Sequence, residues 1–287
     1  MKLSMKQKGI TLMLMAALFF AVMQVFINLT GGRIPLMQQV FFRNIISLII
    51  SYVLIKKHGL SMFGEKRYQP LLFTRSAFGL LGLVSLFYAA SRAHQADVTI
   101  LSKLSPFLIT ILAFFFLKEK ITKIQIPALF IAFAGAILVA NPAFNSNILP
   151  LFMAFLTAVF SSVSYTLLAY FKDKVDGITV IMHFSTFCVL VSIPFMIIDW
   201  VVPTPGELIL LLLMGVLGGF GQICLTYSYR MAPASEISIY NYSGIVFSMI
   251  LGYFILGENL PTSSILGGAL VVLASFITYK YNNHNVE

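Results

Sequence analysis

Eleven of the 43 residues in the stretch 79–121 recur 139 positions later without a gap, and this internal copy constrains the chain more than any other feature. The pairs include Gly79/Gly218, Gly82/Gly221, Tyr88/Tyr227, Ala93/Ala232, Ile100/Ile239, Phe115/Phe254, Leu117/Leu256 and Glu119/Glu258. Apolar letters coincide by chance in an apolar chain. Glycines, a tyrosine and a glutamate held in one register are harder to produce that way. The chain therefore reads as two copies of one unit, and whatever folds one copy must fold the other.

The solvent of that unit follows from composition. Of 287 residues, 59% are hydrophobic and 10% charged, where soluble domains carry roughly 25% charged residues. Such a chain requires lipid. Ten apolar runs stand at roughly 9–28, 36–55, 71–91, 97–117, 124–141, 148–170, 178–199, 207–229, 236–256 and 262–280. A helix of about 20 residues crosses a hydrocarbon core of about 30 Å. The predicted fold is all-α and integral to the membrane: ten transmembrane helices in two five-helix repeats, 1–141 and 148–287. Breaks at Gly31-Gly32, Lys56-Lys57, Asn141-Pro142 and Pro203-Thr204-Pro205 punctuate the runs. The stretch 1–8 is short and basic, and the run after it is long enough to span, so no cleaved signal peptide is expected.

Five spans is an odd number, so the second copy is expected upside down relative to the first. Asp97 then opens span four outside, while its partner Glu236 opens span nine inside. With the N-terminus inside, 14 lysines and arginines fall on inner segments, two (Arg33, Arg92) on outer loops and three (Arg43, Arg75, Lys103) within spans. The excess of bases on one side places both termini in the cytoplasm, with Asn145 outside and Lys172 inside. The net charge of +9 is thus assigned to orientation at the cell (plasma or inner) membrane, with no nucleic acid partner. Inverted halves give two related conformations, one open to each side. Cys188 and Cys224 sit in apolar runs as small hydrophobes, so no disulfide framework is expected.

Ionised groups inside spans are expensive and by default functional. Lys103 lies six residues into span four, about 9 Å deep at 1.5 Å per residue. Arg43 lies at a similar depth in span two. Both are long enough to snorkel to the outer headgroups, and that reading stays open. Ser102 and Pro106 flank Lys103; the proline frees a carbonyl one turn earlier, as suits a cavity wall. Gln24, Gln222 and Asn241 are costly to bury and complete the candidate substrate site with Tyr165. Arg75 is expected at the cytoplasmic headgroups or a helix end. His183 is expected to be a satisfied structural histidine. Asp97, Glu119, Glu236 and Glu258 fall at span ends, where solvation explains them. No carboxylate stands at mid-span, which favours an anionic or zwitterionic ligand over a cation and predicts facilitated diffusion or exchange over proton coupling. Histidines 58, 94, 183 and 284 cannot share a metal, and there is no hydrolase or phosphate-loop motif, so neither enzyme nor cofactor is expected.

The segments Phe87-Tyr88-Ala89-Ala90-Ser91, Ala96-Asp97, Leu101-Ser102-Lys103-Leu104-Ser105-Pro106-Phe107 and Phe116-Leu117-Lys118-Glu119 resemble the fourth-span signature of the drug/metabolite transporter superfamily, EamA-type. The second copy repeats it through Tyr227–Ala232 and Tyr253-Phe254-Ile255-Leu256-Gly257-Glu258, and Phe41-Phe42-Arg43 resembles the family's second-span arginine. The likeness covers the whole chain. It implies the ten-helix inverted repeat, a cavity lined by spans one, three, four, six, eight and nine, and spans five and ten at the periphery. The second copy departs from it with Tyr242 for Lys103 and Ile245 for Pro106, so the cavity charge is asymmetric. The expected function is transport of a small amino-acid-like or other carboxylate-bearing metabolite by alternating access. The alternatives are a multidrug or cationic amine exporter and, from another class, a membrane-embedded enzyme or scaffold. The expected partners are a small-molecule substrate and the bilayer, and a homodimer is allowed.

Overall fold

The computed structural model describes residues 4–30, 32–90, 92–93, 95–142, 144, 147–257 and 261–284. Glu258, His94, Asn145 and one half of the Gly31-Gly32 break lie outside them. The described residues are mostly helical, with no strand among them. In order they form α1 (Met5–Leu29), α2 (Leu36–His58), α3 (Gln69–Ala90), α4 (Gln95–Ser102), α5 (Ser105–Leu112), α6 (Gln125–Ala140), α7 (Ile148–Tyr170), α8 (Gly177–Ile198), α9 (Pro205–Met231), α10 (Ala234–Ile237), α11 (Ser243–Leu256) and α12 (Thr262–His284).

Local chemistry sets the ends. Gly59 (φ 63°) closes α2 in the left-handed conformation and returns its N–H to the Ile55 carbonyl, with Lys56, Lys57 and His58 in the last turn, where a helix favours positive charge. Asp176 accepts from the Ile178 N–H to start α8. Thr204 and Glu207 form a reciprocal capping box around Pro205 at the start of α9.

Nine helical segments among the described residues are long and apolar enough to cross a membrane. The stretch 97–117, expected as span four, is long and apolar enough to cross, is interrupted between α4 and α5, and closes with a π-helical turn, Ala113–Leu117. The run expected at 124–141 is α6, of 16 residues, which is about 24 Å at 1.5 Å per residue and short of a full crossing.

Phenylalanines 115, 116, 130 and 254 stand exposed on the flanks, as a lipid-facing surface requires. Inside, α1 packs along α9, α3 along α7, α2 along α8 and α6 along α12. Exchanging each helix for its counterpart in the other half maps this set onto itself. The α6–α12 contact is close: a Cβ placed on Gly135 would fall 2.6 Å from the Gly267 carbonyl oxygen, and one on Gly267 would strike the Gly135 carbonyl. The largest buried cluster joins Ile10, Met13, Leu168, Phe171, Tyr229 and Ala234 with Ile109, Leu129 and Val271.

Candidate substrate site at the helix interruptions

Two broken helices meet in the middle of the bundle. α4 stops at Ser102 and α5 starts at Ser105, leaving Lys103 and Leu104 between them; Pro106, which has no N–H to donate, occupies the first turn of α5. In the other half, α10 passes into a tighter 3₁₀ turn, Ser238–Tyr242, before α11. Lys103 and Tyr242 hold the same position in their copies, 139 residues apart, and each reaches the other's break. The Lys103 ammonium donates to the Asn241 carbonyl at 2.9 Å, and the Tyr242 hydroxyl donates to the Lys103 carbonyl at 2.8 Å. Tyr242 is fully buried and Lys103 half-buried. Gly244 lies alongside the ammonium: a Cβ there would sit in ordinary contact, 3.7 Å from Nζ and 3.9 Å from the Ala17 Cβ of α1.

The remaining candidates divide. Arg43 is half-buried, with its guanidinium carbon 5.6 Å from the Phe20 ring centre. Its stem lies so close to Gly218 that a Cβ there would come within 2.9 Å of Cγ. Ser102 donates to the Thr99 carbonyl and Gln222 donates weakly to Thr226, 3.3 Å away, so both are engaged within their own helices. Pro106 is buried and its carbonyl accepts from Thr110. Tyr165 stacks on Tyr229 with ring centres 5.5 Å apart. Gln24 is half-buried on α1, and Asn241 contributes its backbone carbonyl to Lys103.

Arg75, expected near the cytoplasmic headgroups or a helix end, is instead 1% exposed and stacked 4.1 Å over the Phe184 ring. Beside it the Ser164 hydroxyl donates to the Arg75 carbonyl, and the Ser76 hydroxyl lies 2.9 Å from His183 Nδ1. Neither Arg43 nor Arg75 is in an ion pair among the described residues. Distance from a helix end was the only guide to Arg75 in the sequence, and it does not say which face of the helix an arginine takes. The small residues Ser76 and Gly79 that follow it were the available signal.

Two of the span-end acids, Glu119 and Glu236, link segments from the two halves of the chain. Glu119 accepts from the backbone N–H groups of Ala234 and Ser235 at 2.8 and 3.0 Å and from the Ser235 hydroxyl at 2.7 Å, capping the start of α10. Lys6 pairs with Glu236, Arg230 donates to the Phe171 carbonyl, and Asp97 accepts from the Phe144 N–H. Two shallow clefts of about 380 and 230 Å³ lie at the ends of α2, α8 and α9, lined by residues such as His58, Asp176, Lys174 and Tyr227, and touch none of the deep bases. Among the described residues no group of three or more His, Cys, Asp or Glu is placed to hold a metal.

With this geometry in hand, comparison with known proteins is direct. The model of the EamA-like transporter family matches twice, over residues 7–141 and 148–280. The chain is 30% identical to the pseudopaline exporter of Pseudomonas aeruginosa over 96% of both chains. It is 28% identical to the S-adenosylmethionine uptake transporter of Rickettsia bellii over 87% of this chain and 86% of that one, and 28% identical to mouse solute carrier family 35 member G1 over 93% and 76%. A solved crystal structure with 17% identity superposes with a TM-score of 0.82 over 97% of this chain and 98% of its own, which shows the shared fold. These named relatives are transporters, not enzymes. The chain is a multi-pass membrane protein that belongs to the EamA-like transporter family.

Proposed function

We propose that the protein carries a small carboxylate-bearing metabolite of the amino-acid kind across the cell membrane by alternating access. The observation that carries this reading is the meeting of two helix interruptions at equivalent positions, with the Lys103 ammonium held there by a single carbonyl acceptor. Discontinuous helices in corresponding places of two halves are where secondary transporters bind substrate. An ammonium has three donors, so Lys103 keeps two for a ligand carboxylate. The ten-helix inverted repeat, divided at 1–141 and 148–287, belongs to the same proposal; it is supported by the double family match and by the self-mapping helix contacts. Both termini then lie in the cytoplasm. S-adenosylmethionine, named for one relative, itself carries an amino-acid carboxylate. A cation exporter fits less well, because the deep charges are all basic. With no mid-span acid to carry a proton, transport runs by facilitated diffusion or exchange.

A thermal-shift screen of purified protein against metabolites identifies the ligand, since binding to the folded state raises apparent stability. Lys103→Met should then abolish exchange of that ligand in proteoliposomes while leaving expression and folding intact. Removing one partner of a buried charge pair costs about 3–5 kcal/mol, which is roughly 100-fold or more in affinity. Lys103→Arg should keep part of the activity, because the charge stays while its geometry changes. Near-normal exchange by Lys103→Met would defeat the proposal.

A further inference from the structure

The carboxylate site proposed at Lys103 leaves Arg75 without a role. Its guanidinium is buried to 1% exposure, and its Nε and Nη1 have no hydrogen-bond partner. An uncompensated buried cation is among the costliest arrangements a fold retains, and in a span it marks function by default. Arg43 lies within electrostatic reach of it, and both arginines act on Tyr165 and Cys188. Near them among the described residues stand the Phe20 and Phe184 rings, the Tyr165 hydroxyl, the Cys188 thiol and His183, and neither arginine is in an ion pair. Two cations that repel each other in a low-dielectric site are held together favourably only when an anion lies between them. Lys103 is engaged elsewhere: its ammonium is tied to the Asn241 carbonyl.

We infer that Arg43 and Arg75 form a second anion subsite, distinct from Lys103, which takes the second acidic group of a dicarboxylate substrate or a small inorganic anion bound beside a monocarboxylate. This rests on the carboxylate reading of Lys103. An arginine fork suits the planar, bidentate recognition such a group requires.

The test uses purified full-length protein and thermal unfolding. The probes are butyrate, succinate, glutarate and adipate, together with chloride titrated against methanesulfonate. If one substrate fills both subsites, a dicarboxylate stabilises the wild type at concentrations at least about tenfold lower than butyrate does. That advantage disappears in Arg75→Met, which keeps the butyrate response, and returns in part in Arg75→Lys. If an inorganic anion fills the second subsite, chloride stabilises the wild type, Arg75→Met loses that response, and mono- and dicarboxylates behave alike. Unliganded Arg75→Met should unfold at a higher temperature than the wild type, since a buried unpaired charge has gone; should it fail to fold, Arg43→Met reads the same differences. Identical dicarboxylate and chloride responses in wild type and both arginine variants would overturn the second subsite and leave Lys103 standing. Absence of any carboxylate response in the wild type would overturn the Lys103 reading, and with it this one.

Discussion

Lys103 and Tyr242 show what a single residue does and does not reveal. A lysine in an apolar run announces itself, because its burial needs a reason. A tyrosine in the same place is ordinary, and only the 139-residue register marks it as the counterpart of Lys103. The two hydrogen bonds that cross the breaks, from Lys103 to the Asn241 carbonyl and from Tyr242 to the Lys103 carbonyl, were therefore half legible. Glu119 was legible as a helix-end acid, but its partners were not, since they are backbone groups 115 and 116 positions away. Three donors converge on that carboxylate, so Glu119→Ala should lower the unfolding temperature of the purified protein by a few degrees, reflecting about 1–2 kcal/mol for a lost cap. Glu119→Gln, which keeps one acceptor oxygen, should fall between. An unchanged unfolding temperature in Glu119→Ala would show that the cap contributes nothing.

At the scale of helices, the apolar runs located the spans to within a few residues, because burial in lipid demands a minimum length and little else. What they could not show was interruption. Pro106 hinted at the break before α5; the 3₁₀ turn at Ser238–Tyr242 has no such marker, since Ile245 stands where Pro106 stands. Nor did hydropathy show that α6 is short. Its compensation is packing: Gly135 and Gly267 bring the α6 and α12 backbones into contact. Gly267→Val should therefore destabilise strongly, by about 1–3 kcal/mol of overpacking, because the atoms in the way are the Gly135 carbonyl and the Val139 amide. Gly268→Ala is the control: its neighbour is the flexible end of Met249, 3.1 Å from the added carbon. Thermal unfolding of the two variants should separate clearly; equal unfolding temperatures would refute the backbone contact.

At the scale of the molecule, duplication and charge bias were written in the sequence, while the pairing of α1 with α9 and of α3 with α7 was not, since contacts between distant segments leave no mark on hydropathy. Orientation is directly testable. In a background without Cys188 and Cys224, a cysteine at Val202, exposed between α8 and α9, should react with an impermeant reagent in intact cells, and one at Lys172 only after permeabilisation. The reverse pattern would invert the proposed topology. The brace at Glu119 has a further consequence for genetics. Because the carboxylate grips the N–H groups of Ala234 and Ser235, ordinary side-chain changes at those two positions leave its main partners in place; only proline would remove one. Random mutagenesis should therefore uncover this contact at codon 119 alone, and lesions at codon 234, whose alanine is fully buried, should report on packing instead.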